Sequence, residues 1–303
     1  MVGNNVLKGV FLVGLGAASY GMLATFVKLA YKDTSSQGLN YTPAEVIVAQ
    51  FVIGILIVLG INAFQKQRKG NNVVKASSSD IKKLMLVGTS TGLTSIFYYL
   101  AVKYIPVSIG IVLLMQTVWM GVVLEMFLEK KLPSKIKVFA VLIVLFGTAL
   151  ATNLFSKSID LDWRGVVLGL LAAASFTTTM FAANKVALSI SSAQRSLYML
   201  LGGIIVVFVF ALLTQNTPFN FDIFYKWGIL IALFGTVIPP LLLNAGFPLT
   251  GIGLGSIVSA LELPVSVMMA FFILNEDVVL YQWIGIVLII LAIVLMNIKF
   301  RKK

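Results

Sequence analysis

Glu262 sits near the middle of SIVSALELPVSVM (256–268), inside an apolar stretch from about Gly251 to Leu274 that carries no other charge. A carboxylate at that depth costs at least about 2.5–3.5 kcal/mol if it faces lipid. It must therefore face a cavity or a partner, or hold a proton. A carboxyl poised to gain and lose a proton suits proton coupling, and one kept charged attracts a substrate amine. No Lys or Arg lies at similar depth in the sequence, which argues against a structural ion pair. The alternative is a neutral Glu262 that hydrogen-bonds a neighbouring helix, or Ser259 or Ser266 on its own helical face.

The stretch GTSTGLTSIFYYL (88–100) is unusually polar for its setting. Thr91, Thr94, Ser95 and Tyr98 recur at three- and four-residue spacing and form one stripe, which either lines a cavity or bonds helix to helix. Gly88 and Gly92 permit close helix contact, and Tyr99 reads as an interface aromatic. Further polar or aromatic candidates within apolar stretches are Ser19, Tyr20, Gln50, Gln116, Trp119, Ser175, Thr178, Tyr198, Thr236 and Asn244. Trp119 either stacks on a flat or apolar solute or packs in a core. Pro264 and the Pro239–Pro240 pair lack the N–H and free carbonyls at mid-helix, where kinked segments expose polar backbone and hinge; packing can equally fix such kinks. The expected substrate-binding set is Ser19, Tyr20, Thr91, Thr94, Ser95, Tyr98, Gln116, Trp119, Ser175, Thr178, Thr236, Ser259 and Glu262, with Pro239, Pro240 and Pro264 as hinges. The chain has no Cys and no His, which excludes disulfides, Cys or His metal sites and Cys/His nucleophiles. GIGLGS (251–256) opens an apolar stretch and follows no soluble strand, so it is no nucleotide loop. No catalytic residue, cofactor or metal is expected.

The elements that position these residues follow from composition. Of 303 residues, 59% are hydrophobic and 11% charged, against roughly 25% charged in soluble domains. No soluble globule of this size hides so much apolar surface, whereas a polytopic membrane protein covers it with lipid. The +12 formal charge lies in short segments between apolar runs, which points to membrane topology and not to nucleic acid. Runs of about 20 apolar residues, the length of a span, begin near residues 7, 43, 83, 106, 136, 164, 194, 226, 251 and 281. Tight turns at Lys103–Pro106 and Phe247–Gly251 separate adjacent runs. The first run reads as a span and not as a removed signal peptide. Ten spans put both termini on one side. Most basic residues, Lys185 and Arg195 among them, fall on that side, and only Lys28, Lys32, Lys103, Lys157, Arg164 and Lys226 fall on the other. The termini are therefore expected in the cytoplasm, in a bacterial-type inner membrane. Asn184 and Lys185 at one face and Lys28 at the other read as snorkelling residues, and Glu125 as an interfacial acid paired with the basic segment.

The halves repeat. KGVFLVGLGAASYGMLATFVKLA (8–30) resembles RGVVLGLLAAASFTTTMFAANKVA (164–187), with Ala-Ala-Ser-aromatic shared, and the fourth and ninth runs each end in an acid, Glu129 and Glu276, before one last apolar helix. Residues 1–155 and 156–303 thus read as two five-span repeats. An odd number per repeat inserts the second upside down, the architecture of secondary transporters.

With these repeats in view, FYYLAVKYIPVSIGIVLL (97–114), LELPVSVMMAFFILNED (261–277) and the closing WIGIVLIILAIVL resemble the EamA-type branch of the drug/metabolite transporter superfamily. The resemblance covers nearly the whole chain. It departs from the family pattern near Thr117–Trp119, where a proline is replaced, at Gln50, where a basic residue is common, and at Glu262-Leu263-Pro264, which stands for Glu-Pro. It implies an all-α membrane fold of ten helices in two inverted repeats, and a small-solute carrier. The mixed lining suggests an amino acid or a similar amphipathic or amine-bearing metabolite, exported or imported by alternating access, with protons coupled through Glu262. The alternatives are an uncoupled facilitator, a lipid or lipid-linked-sugar translocator, and a non-transporting receptor or scaffold. The expected partners are the small-molecule substrate, protons and the bilayer, with no nucleic acid and a monomeric or homodimeric chain.

Overall fold

Inside a bilayer every backbone N–H and C=O must find its partner within the segment, so long apolar runs become helices. The computed structural model describes residues 2–36, 38–69, 74–101, 103–105, 107–154 and 162–300. The first half contains α1 (Val2–Lys32), α2 (Pro43–Lys69), α3 (Ser78–Ala101), α4 (Val107–Leu114), α5 (Thr117–Glu129) and α6 (Lys135–Ala151). The second contains α7 (Trp163–Lys185), α8 (Ser192–Thr214), α9 (Ile229–Ala232), α10 (Ile238–Thr250), α11 (Ile252–Ser259), α12 (Glu262–Leu274) and α13 (Leu280–Phe300). Two π-helical turns, Phe224–Gly228 and Leu233–Val237, flank α9. Among the described residues eight helices are long and apolar enough to cross a membrane, and Leu280–Met296 is a shorter apolar one. The expectation of ten spans therefore stands at eight by that measure; α6, with 17 residues, is likewise shorter than a full span. The proposed boundary at 155/156, the Pro106 corner, Lys157 and Asp160 lie outside the described residues.

Joints between helices are set by local chemistry. The Asp162 side chain accepts from the Arg164 N–H at the start of α7, and Ser134 does the same for the Lys137 N–H at α6. Ser191 and Gln194 form a reciprocal capping box that opens α8. At the far end of the molecule the fully buried Glu45 carboxylate accepts from Thr42, Gln215 and Asn220, which ties the start of α2 to the segment after α8.

The halves interlock instead of standing side by side. α1 packs on α10 and α12, α3 on α7 and α8, α5 on α11, and α6 on α13. Glu125 of α5 meets Gly253 while Val118 meets Ser256, so α5 and α11 run in opposite directions. Gly147 and Ala151 of α6 likewise meet α13 antiparallel, the Gln282 side chain donating to the Ala151 carbonyl.

The closest crossing is that of α3 on α8. A Cβ added to Gly88 would overlap the Met199 carbonyl, and one on Gly202 the Met85 carbonyl. Backbone cannot rotate aside as a side chain can, so the helices would have to separate. Gly202→Ala is expected to lower stability by about 1–3 kcal/mol, the usual cost of overpacking; thermal unfolding in detergent measures it, and Gly60→Ala, where a Cβ meets nothing within 4 Å, is the matched control.

Three helical interruptions shape the interior. α11 stops at Ser259 and α12 starts at Glu262, with tight bonds from Ala260 N to Ile257 O and from Leu263 N to Ala260 O. Pro264 is the third residue of α12, where a missing N–H is tolerated. The break thus precedes the proline and places Glu262 at a helix start. The first half breaks in the same place without a proline: α4 stops at Leu114 and α5 starts at Thr117. Here the Gln116 backbone N–H bonds Leu113 O, and its side chain takes the freed Val112 carbonyl at 2.9 Å. α5 and α12 are both 13 residues long and both end on a left-handed residue, Lys130 and Asn275. Counted from their starts, Thr117 stands where the second half has Glu262, and Trp119 where it has Pro264. The third interruption is the π-turn before Pro239–Pro240. Neither proline can donate to the carbonyl four residues back, and the helix widens, with Ile238 N–H bonding Leu233 O.

Candidate functional site

A cavity of about 520 Å³ opens between the halves, within the range of about 300–1,000 Å³ typical of small-molecule sites. It is lined by α1, α2, α3, α4, α7 and α12, by the π-turn before α10, and by the ends of α6 and α13. The sequence-derived candidates Tyr20, Thr91, Thr94, Ser95, Tyr98, Thr236 and Glu262 all line it. The third-stretch stripe therefore turns toward the cavity. Thr236 lines the wall while its hydroxyl donates to the Gln50 and Ala232 carbonyls.

Other candidates lie elsewhere. Ser19, Gln116 and Ser259 spend their side chains on carbonyls of their own helices, those of Leu15, Val112 and Gly255. Ser259 therefore does not partner Glu262, and Gln116 mends the α4–α5 break. Trp119 points to the outer surface, 38% exposed, held by an indole N–H bond to Gln116; its depth along the chain put it near the cavity, but its helical face turns it away. Ser175 and Thr178 lie off the cavity, and Thr178, exposed, bonds the Ala174 carbonyl. The inward residue is Thr179, whose hydroxyl lies 2.7 Å from that of Ser90. Pro239, Pro240 and Pro264 are not among the residues lining this cavity. Sequence reasoning also missed Thr25, Tyr31, Ser266, Thr152 and Gln282, all lining residues. Of these, the sequence marks Ser266 only as a hydrogen-bond partner for Glu262, one turn away on the same face, and not as a lining residue. Nothing in the pattern marked Thr152 or Gln282.

Among the lining carboxyls, Glu262 is the one carried on a helix. No described residue forms a hydrogen bond or ion pair with its carboxyl, so the side-chain partners weighed from sequence do not take it. The Tyr20 and Tyr98 hydroxyls lie within electrostatic reach. Tyr20 meets Phe176 edge to face at 5.9 Å, and Tyr98 meets Tyr99 at 6.2 Å. The Thr91 hydroxyl, on the same wall, has no partner. The lining offers the carboxyls of Glu262, Glu276 and Asp277, several hydroxyls and a largely aromatic and aliphatic wall.

The two ends of the molecule differ. At one mouth Lys28 of α1 ion-pairs with Glu276 after α12, both lining the cavity and both about half exposed. Lys28 thus bridges the halves instead of snorkelling alone. The other end is sealed by contacts between the halves and within each. Glu125 holds Lys137 and the Gly253 N–H, Ser256 bonds the Val118 carbonyl, and Asn184, buried and not snorkelling, donates to the Phe247 carbonyl at 2.7 Å. Asn244 donates to Ser196 at 2.9 Å. Arg195, expected in a basic surface segment, is instead 2% exposed and donates to four backbone carbonyls. Because the Lys28–Glu276 pair is solvated, Lys28→Ala is expected to lower stability by at most about 1 kcal/mol, the scale of a surface ion pair, read as a small fall in melting temperature in detergent that shrinks at high salt.

The sequence profile of the EamA-like transporter family matches residues 7–153 and again 163–298. A solved crystal structure aligns over 97% of this chain and 98% of its own with a TM-score of 0.76 at 14% identity, a likeness of fold alone. No curated relative matches the sequence. Two matches of one profile, together covering nearly the whole of a chain built of two interlocked helical halves, identify it as a multi-pass membrane transporter of the drug/metabolite type: the chain belongs to the EamA-like transporter family.

Proposed function

We propose that the chain is a secondary carrier that moves a small organic solute, an amino acid or a similar amphipathic or amine-bearing metabolite, across the cell membrane by alternating access. Ten spans serve this reading: the eight long apolar helices, with α6 and α13 packed on each other as the fifth and tenth. The antiparallel courses of α5 against α11 and of α6 against α13 are those of two repeats inserted in opposite senses. With the basic excess placing the termini in the cytoplasm, the cavity opens outward and the Glu125–Arg195 end is the closed inner gate. The exchange of these two states carries solute from one side to the other.

The observation that carries the proposal is the Glu262 carboxyl, without a hydrogen-bond or ion-pair partner among the described residues, at a helix break in the wall of a cavity whose opposite end is sealed. A group that must hold a proton or a cation to be tolerated there couples occupancy to conformation. The test is uptake of a labelled solute panel by proteoliposomes, with and without an imposed pH gradient. Gradient-stimulated accumulation is expected. Equal fluxes with and without the gradient would make the protein an uncoupled facilitator, and no solute flux at all would remove the carrier reading.

A further inference from the structure

The charges around the cavity are unbalanced. Among the described lining residues the carboxylates are Glu262, Glu276 and Asp277, and Lys28 is the one cation. Lys28 is already held by Glu276. A solute carboxylate entering the cavity would therefore find no free cation among the described residues. The helix N-termini at the two mid-helix breaks, the other ready anion sites, are closed to it as well. α12 begins with Glu262 itself, so its positive end faces a carboxyl of the chain. α5 begins at Thr117, which is buried away from the cavity. Uncharged donors remain, such as the Thr91 hydroxyl, but a buried carboxylate needs more than hydroxyls to replace its water.

The same cavity suits a cation. Around Glu262 stand Tyr20, Tyr98 and Phe176, with Phe51 and Tyr99 on adjoining walls. Aromatic faces attract an ammonium, and the attraction grows where water is excluded. The carboxylate and the rings together match a body with one positive end and one aromatic or apolar end.

We infer that the site selects a monoamine with an aromatic body and no carboxylate, and rejects the corresponding amino acid. This rests on the carrier reading above, because it names the solute of that same cavity. It narrows the solute from amine-bearing metabolites in general to cations whose only charge is the one that Glu262 balances. The amino acid brings a second charge that the cavity opposes.

Three congeners of one body separate the possibilities: phenethylamine, phenylalanine and 3-phenylpropionate. Binding to the purified full chain is measured by calorimetry, and flux of the same labelled compounds in proteoliposomes. Phenethylamine is expected to bind about 100-fold more tightly than phenylalanine, the discrimination that an opposed buried charge provides, and 3-phenylpropionate not to bind. Glu262→Gln should abolish phenethylamine binding, while Glu262→Asp should keep part of it and show that loss is not misfolding. Phenylalanine binding as tightly as phenethylamine, or phenethylamine binding unchanged in Glu262→Gln, would overturn the inference and leave the carrier reading standing. Absence of binding by all three would overturn it also. Selective phenethylamine binding with no flux would uphold the inference and remove the carrier reading.

Discussion

Glu262→Gln is expected to end pH-driven uptake, lowering the gradient-stimulated rate at least about 20-fold, while leaving the protein as stable as before or more so. The two halves of this expectation have one cause. Gln keeps the shape of the side chain and removes the charge that costs at least about 2.5–3.5 kcal/mol at mid-membrane when unbalanced. No hydrogen bond or ion pair within the described residues is lost, because Glu262 makes none. A residue conserving the fold would behave in the opposite way, with a lower melting temperature and a proportionate loss of activity. The pH profile adds a second readout. The titratable groups that face Glu262 are Tyr20, Tyr31 and Lys28 from α1, Tyr98 and Tyr99 from α3, and Glu276 and Asp277 beyond α12. Residual flux in the variant should be flat across the range in which the native rate varies. Gradient-driven uptake within twofold of the native rate would move the coupling away from Glu262, and Glu276 and Asp277 would be the carboxyls to examine next.

What could be read without coordinates divides along physical lines. Span starts were legible because a bilayer demands unbroken apolar length: helices begin at Pro43, Trp163, Ser192 and Leu280, close to where the apolar runs begin. The Gly88/Gly92 contact was legible because nothing but close approach requires glycine at that spacing on an apolar helix. Glu262 was legible from cost alone. Facing was harder. Thr178 and Thr179 differ by about 100° around the helix, and a stretch with hydroxyls at three successive positions does not say which one turns inward. Trp119 and Gln116 stood at the right depth on the wrong face. The Met115–Gln116 break was hidden because the sequence lacks the proline that marks its counterpart; a side-chain amide does the mending. Arg195 misled for another reason. Topology rules count basic residues by position along the chain, and position does not tell a solvated arginine from one whose guanidinium is spent on backbone.

That arginine is expected to carry a large share of the stability of the sealed end. Helix α7 ends at Lys185, where the last carbonyls run out of intrahelical partners, although Ala182 O still accepts from the Val186 N–H. The Arg195 guanidinium reaches back from the first turn of α8 to three carbonyls of this end, Ala182 and Ala183 through Nη2 and Val186 through Nε at 3.0 Å. A cation at a helix C-terminus is favoured by the macrodipole. Its Nη1 donates at 2.7 Å to the Asn244 carbonyl of α10. That carbonyl is orphaned by Pro248, four residues on, which has no N–H to give. One side chain thus satisfies a helix end and a proline defect, and it fastens α7, α8 and α10 at the sealed end. Arg195→Met fills similar volume but leaves these carbonyls buried, at about 1–3 kcal/mol for each one that finds no other partner. A loss of at least about 3 kcal/mol is expected, read as a sharply lower melting temperature in detergent. Arg195→Lys should lose less, since one ammonium still reaches part of the cluster but not both helices. The proline supplies the decisive control. Pro248→Ala returns an N–H to the Asn244 carbonyl, so Arg195→Met should cost about 1 kcal/mol less in that background than in the native one. Strictly additive effects of the two substitutions would mean that the guanidinium does not serve the proline defect, and a melting temperature unchanged by Arg195→Met would mean that it fastens nothing.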